Sequence, residues 1–258
     1  MSILDRFSLK GKKALIYGPQ FVYGTDIAEG LAEAGAEVWL CGKDGETLKA
    51  LAEKIGARGY YEYQQGTKAA AEGLAAFVRN TMGGLDVFVE NGSQETMTGW
   101  FHSYQEIVDQ FTVTQKGLIL TVQAMGEIMA EAKKGSIIFV SDYAALVGCD
   151  VHNYEGCPEE MEKDFSVDYG YIKSSYVNYA RQAAGFLGDA GCRCNTIAFA
   201  PMKGKKPAAF EEAFIKHSHI RRMAESRDVK DIAVFLASDA SQYITGATIP
   251  VDGGYTAK

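Results

Sequence analysis

Two side chains with acid/base chemistry stand four residues apart, Tyr169 and Lys173, in the stretch Tyr169-Gly170-Tyr171-Ile172-Lys173. The spacing of residues 169–187 reads as helix, and on a helix positions i and i+4 share a face. An ammonium beside a phenol favours the ionised form, whose ordinary pKa is about 10, so the pair makes Tyr169 a candidate acid or base near neutral pH. Alone the motif is weak. With 14 tyrosines in the chain, about one Tyr-x-x-x-Lys is expected by accident.

The elements around the pair decide its weight. Lys13-Ala14-Leu15-Ile16-Tyr17 is an apolar run ending in Gly18, with Gly24 six residues on and an amphipathic segment at 26–34, which predicts strand, turn, helix. Further strands are predicted from residue 35 and at 59–63, 85–90, 136–141, 193–199 and 248–251, with helices at 45–55, 68–81, 104–132, 168–187 and 229–238. Seven strands alternating with helices predict an α/β fold of the Rossmann type: a doubly wound, mostly parallel sheet with helices on both faces. Such a sheet binds ligands at the carboxyl ends of its strands, which here carry Gly18 to Gly24, Gly42 to Asp44, Gln64, Glu90 to Ser93, and Ser141 with Asp142. Gly18 and Gly24 fit the outer positions of a pyrophosphate-binding turn. Pro19, Gln20, Phe21, Val22 and Tyr23 between them are bulky where a phosphate cradle favours small residues. A turn of this spacing also serves where a strand and a helix merely pack closely.

Composition narrows the function classes. The 258 residues, 47% of them hydrophobic, suffice for one large domain over 1–258. A net charge of −7 argues against nucleic acid or an anionic membrane as partner. The first residues lack the apolar stretch of a signal peptide and no run approaches a membrane span, so a cytoplasmic protein is expected. Five scattered cysteines make a disulfide framework unexpected. Cys192 and Cys194 have no partner set for zinc, and His217-Ser218-His219 reads as polar helix surface, so no metal site is expected.

Laid end to end, these segments resemble the short-chain dehydrogenase/reductase superfamily over nearly the whole chain. Tyr169-x-x-x-Lys173 followed by Ser174-Ser175-Tyr176-Val177-Asn178 is similar to its active-site helix, and Gly191 to Ala198 to its next strand. Arg227 to Asp239, Tyr243-Ile244-Thr245-Gly246 and Val251-Asp252-Gly253-Gly254-Tyr255 are similar to its C-terminal region. In that superfamily an NAD(P) cofactor lies over the strand ends, and a tyrosine moves a proton while hydride passes between nicotinamide and a substrate carbon. A lysine lowers the tyrosine's pKa and holds the nicotinamide ribose, a serine orients the substrate oxygen, and an asparagine sustains a proton-relay water. The resemblance implies Tyr169 as the acid/base, Lys173 as its partner, and a small carbonyl or alcohol as substrate.

The other positions depart from the family pattern. Asp142 stands at the serine position, with Ser141 one residue earlier; neighbouring strand residues point to opposite faces, so Ser141 substitutes only through a slip or bulge. An ionised Asp142 would oppose a phenolate and could donate no hydrogen bond. Thr114 stands at the asparagine position. Glu90-Asn91-Gly92-Ser93 replaces Asn-Asn-Ala-Gly, Gln64 replaces the adenine-contacting aspartate, Phe199-Ala200 replaces Pro-Gly, Gly204 the threonine after it, and the middle glycine of the first turn is lost. Candidate cofactor contacts are therefore Gly18, Gly24, Lys43, Gln64, Asn91, Gly92 and Lys173. Gly42 where an acid usually reads the NAD ribose, followed by Lys43, leans toward NADP over NAD, and Asp44 beside it weakens that lean. The segment 149–164 is a longer, acidic, irregular insertion, compatible with a substrate-shaping loop or plain surface. Lys203-Gly204-Lys205-Lys206 lies at the family's substrate lid, facing either an anionic substrate such as an acyl-CoA or solvent.

These losses cluster where cofactor and substrate would lie, while the active-site helix and C-terminal strand, which build dimers and tetramers in this family, are intact. The pattern resembles a degenerate subunit paired with an active homologue, as in the hydroxyacyl-CoA dehydrogenase of anaerobic toluene degradation, and on that reading no cofactor is bound. A self-sufficient NADP-dependent ketone/alcohol oxidoreductase using Tyr169 and Lys173 is the alternative.

Overall fold

Seven parallel strands form one sheet in the order β3-β2-β1-β4-β5-β6-β7 in the computed structural model, which describes residues 2–92 and 96–257. They are β1 Lys13–Tyr17, β2 Glu37–Gly42, β3 Gly59–Glu62, β4 Val87–Glu90, β5 Gly135–Asp142, β6 Cys192–Phe199 and β7 Thr248–Val251. The helices are α1 Gly24–Glu33, α2 Gly45–Ile55, α3 Lys68–Phe77, α4 Tyr104–Phe111, α5 Gly117–Glu131, α6 Pro158–Asp164, α7 Tyr169–Leu187, α8 Ala208–His217 and α9 Ser226–Ala237. The central strands read as unbroken apolar runs because both faces are covered. One core, including Ile16, Ile27, Leu40, Val89, Val140 and Leu236, lies under α1, α2 and α9. The other, including Leu15, Leu74, Met125, Phe139 and Ala180, lies under α3, α5 and α7.

The chain order reverses between β1 and β4, so the switch point lies where Gly18 and Glu90 leave the sheet. The sequence pattern predicts one helix over 104–132. The structure breaks it at Thr112–Lys116, a wider π turn that places Thr114 inward. Such bulges recur at functional sites.

Residues 149–164 are more ordered than their composition suggests. They form a 3-10 turn at Val151–Tyr154 and then α6, which opens on a proline suited to a first helical turn. Fully buried Asn153 donates to the Tyr255 hydroxyl (2.9 Å) and meets His217 Nδ1 at 3.2 Å. Tyr154, Phe210, Phe214 and Tyr255 stack into a third core. The His217-Ser218-His219 stretch is therefore not simply a polar surface: Ser218 is buried and donates to the Phe214 carbonyl at the end of α8 (2.9 Å), and His217 ties α8 to the insertion. Replacing Asn153 by Ala removes one hydrogen bond from the Tyr255 hydroxyl and one from the His217 ring. We expect urea unfolding to show a loss of about 2 kcal/mol, as for other buried hydrogen-bonded side chains; a loss within about 0.5 kcal/mol would mark the insertion as loosely attached.

Candidate active site

Tyr169 and Lys173 begin α7 on the side facing the ends of β4 and β5. Asp142 ends β5, and the ladder pairs Ser141 with Ala198 and Asp142 with Phe199 without a slip. Ser141 therefore turns to the α7 side, where its hydroxyl donates to the Lys173 carbonyl (2.8 Å) and is used up structurally. It is not available as the oxygen-orienting hydroxyl, which corrects its candidacy. Asp142 instead interacts with the Tyr169 hydroxyl and accepts a 2.8 Å hydrogen bond from the Ala144 amide.

Lys173 is almost fully buried, with Nζ 3.3 Å from the Gly92 carbonyl and 3.4 Å from the Val140 carbonyl. Two buried carboxylates act on it, Asp142 and Glu90. Glu90 ends β4 at 0% exposure; the Gln65 amide donates to both its oxygens (3.0 Å each) and the Gly92 amide to one (3.1 Å). Burial pushes Glu90 up to about 7, moderated by Gln65, Gly92 and Lys173. Burial likewise pushes Asp142 up to about 6. Loss of solvent lowers Lys173, while the two carboxylates pull it back. Burial first, and then Asp142, hold Tyr169 well above its ordinary value, the opposite of the shift the resemblance implies. One ammonium facing two carboxylates leaves no net positive field for a phenolate.

Thr114 donates to the Gln110 carbonyl (2.7 Å) and, with Gln65, Tyr169 and Lys173, lines a cavity of about 20 Å³, room for one water. A larger cavity of about 560 Å³ opens on the other side of Tyr169, bounded by Tyr23, Asp142, Tyr143, the insertion and Lys206. Lys206 pairs with Glu160 (3.3 Å) and Asp164 of α6, so this lid lysine clasps the insertion rather than standing in solvent.

The residues present do not fit a dinucleotide. Gly18, at φ +71°, lies against the Asn91 carbonyl, which an added Cβ would meet at 2.6 Å, and the Asn91 amide donates to the Gly18 carbonyl (2.8 Å) and the Val22 carbonyl (3.3 Å). The first turn is thus folded onto Asn91. Val22, 48% exposed, puts a branched side chain on its outer surface, and Asp26 adds an acid to the first turn of α1, where an anion would be received. Tyr23 takes a left-handed φ of 74°, stacks on Phe199 (4.7 Å between rings) and donates to the Ala200 carbonyl (3.0 Å). The Gln20 side chain lies across Gly42, where the ribose would be read. Lys43 and Gln64 are exposed at their strand ends, and Asp44 caps α2. Ser93 lies outside the described residues. The candidates thus separate into two groups: Tyr169, Lys173, Asp142, Thr114 and Gly92 converge around the two cavities, while Asn91 bonds to Gly18 and Gly24 packs closely against both.

Sequence reading missed Glu90 and Gln65 as site residues. The signal was a lone acid ending the apolar run Val87-Phe88-Val89, where a charge is buried only with partners.

The profile of the family described as Enoyl-(Acyl carrier protein) reductase matches residues 23–256. Oxidoreductase asL5 of Sarocladium schorii is 30% identical, over 98% of each chain. The chain belongs to the short-chain dehydrogenase/reductase superfamily. Subunit BbsD of the (2S)-[(R)-hydroxy(phenyl)methyl]succinyl-CoA dehydrogenase of Thauera aromatica is 27% identical over 95% of this chain and 97% of its own. The gluconate 5-dehydrogenase of Burkholderia cenocepacia, solved with NADP and tartrate, superposes with a TM-score of 0.86 over 100% of both chains at 22% identity, a likeness of fold. Among the described residues no helix is long and apolar enough to cross a membrane.

The buried carboxyls set a pH dependence. Glu90, raised from 4.5 to about 7, keeps its proton in the native protein where the unfolded chain has released it. Its contribution is complete below pH 4.5 and is lost as pH rises to about 7, and Asp142 acts in the same sense between 3.8 and about 6. We expect unfolding stability to fall between pH about 5 and 8 by on the order of 2 kcal/mol, and Glu90→Gln to flatten that fall. Parallel curves for the two proteins would contradict this.

Proposed function

We propose that this chain is a degenerate, weakly or non-catalytic subunit that pairs with an active homologue in an NAD(P)-dependent alcohol/ketone oxidoreductase, with hydroxyacyl-CoA thioesters as the substrate class. The observation that carries it is the first turn folded onto Asn91 with Tyr23 stacked on Phe199. Hydride transfer needs cofactor, acid and substrate placed together. Here the turn that would hold the pyrophosphate is bonded to itself, and the acid donates toward a carboxylate.

Assembly is supported by apolar side chains left in solvent on and around α4 and α7: Trp100 at 75% exposure, Tyr104 at 82%, Phe186 at 84%, with Phe111 and Tyr171 against each other. Groups of that size in solvent mark interaction surfaces. The acyl-CoA class is supported by the Thauera relative, a subunit of a dehydrogenase of a succinyl-CoA thioester. The second reading, a self-sufficient NADP-dependent enzyme, is favoured by the cavity that reaches Tyr169 and by exposed Lys43 at the end of β2.

Nicotinamide fluorescence on the purified chain separates the two. We expect no saturable NADH or NADPH binding up to about 1 mM, weaker than about −4 kcal/mol, and co-purification with a homologous subunit when the two are co-expressed. Micromolar NADPH binding, together with ketone reduction abolished by Tyr169→Phe, would establish the self-sufficient enzyme instead.

A further inference from the structure

The cavity of about 560 Å³ brings a buried carboxylate among aromatic residues. Its walls include the rings of Tyr23, Tyr143, Tyr154, Phe165, Tyr169 and Tyr171, and Asp142 lies in its lining at 6% exposure. Its size is that of a small-molecule site. No lysine, arginine or histidine forms an ion pair with Asp142 among the described residues; Lys173 and Lys206 act on it only through space, and Lys173 spends its hydrogen bonds on two carbonyls. A carboxylate offers about four acceptor positions. The Ala144 amide and the Tyr169 hydroxyl engage it, so acceptor capacity remains.

Asp142 feels Lys173 and Lys206 through space but has no direct ion pair, and a direct one would offset the cost of its burial, while aromatic faces attract cations. A carbonyl or carboxylate brought to Asp142 would set acceptor against acceptor. Lys163 and Lys205 also border the cavity, but their side chains are exposed and screened by water, so they weigh less than the enclosed carboxylate. We propose that the cavity is a binding site for a small protonated amine carrying an apolar or aromatic body, its ammonium donating to Asp142. The site needs no dinucleotide and stands whichever reading of the first turn holds.

The groups facing Asp142 are Tyr169 and Lys173 of α7, Tyr23 before α1, Tyr143 in the turn after β5, and Lys206 before α8. Burial raises Asp142 to about 6, so amine binding should weaken as Asp142 takes up a proton in mildly acid solution.

Calorimetry on the nucleotide-free chain tests this with 2-phenylethylamine and, as an acid of similar shape, 3-phenylpropionate. At pH about 7.5 the amine is expected to bind at millimolar concentration or better and the acid not at all, with roughly tenfold weaker amine binding at pH about 5. Asp142→Asn should weaken the amine roughly tenfold and remove the pH effect; should that variant fail to fold, the pH series on the unaltered chain still decides. Absence of amine binding, preference for the acid, or amine binding unchanged in acid or in Asp142→Asn would each overturn the proposal. Because no NAD(P)H is present, failure here leaves the subunit reading untouched, and cofactor binding would leave this site untouched.

Discussion

One buried ammonium serving two buried carboxylates is the constraint on which the site depends. Lys173 reaches from α7 into the gap between the ends of β4 and β5, where Glu90 and Asp142 lie on either side of it. Charges in such a place persist only with partners. Glu90 draws on Gln65 and Gly92, Asp142 on Ala144 and Tyr169, and Lys173 on two backbone carbonyls. The contacts of Lys173 and Tyr169 within this cluster occupy the two groups that acid/base catalysis would require. The phenol is kept protonated for the same reason.

The first turn follows the same logic with different parts. A phosphate cradle presents free backbone amides and small side chains to its ligand. Here the Asn91 amide satisfies the turn's carbonyls, and Tyr23 bridges to Ala200. Tyr23 adopts a conformation that bulky residues seldom take, held by a ring stack on Phe199 and a hydrogen bond. Tyr23 and Phe199, far apart in sequence, pack as a unit.

The open space has moved toward the substrate side. The insertion, α8 and the C-terminal turn share a buried core through Tyr154, Phe210, Phe214 and Tyr255, and the Lys206 clasp closes the side of the cavity. A rigid wall of this kind fits ligand binding better than a loose surface loop does.

The sequence by itself determined the doubly wound sheet, because apolar runs at strand length alternating with helical periods admit few other arrangements. It also determined that Asp142, not Ser141, faces the tyrosine, since strand side chains alternate by rule. It could not show that Gln65 rather than Gln64 enters the interior, that Glu90 shares Lys173, or that Lys206 grips α6. Those outcomes rest on contacts between segments remote in the chain, such as Gln65 with Glu90 and Tyr23 with Phe199. The direction of Tyr169's pKa shift belongs with them. A phenol and a lysine four residues apart predict a lowered value; burial of the phenol, and then Asp142 beside it, raise it instead.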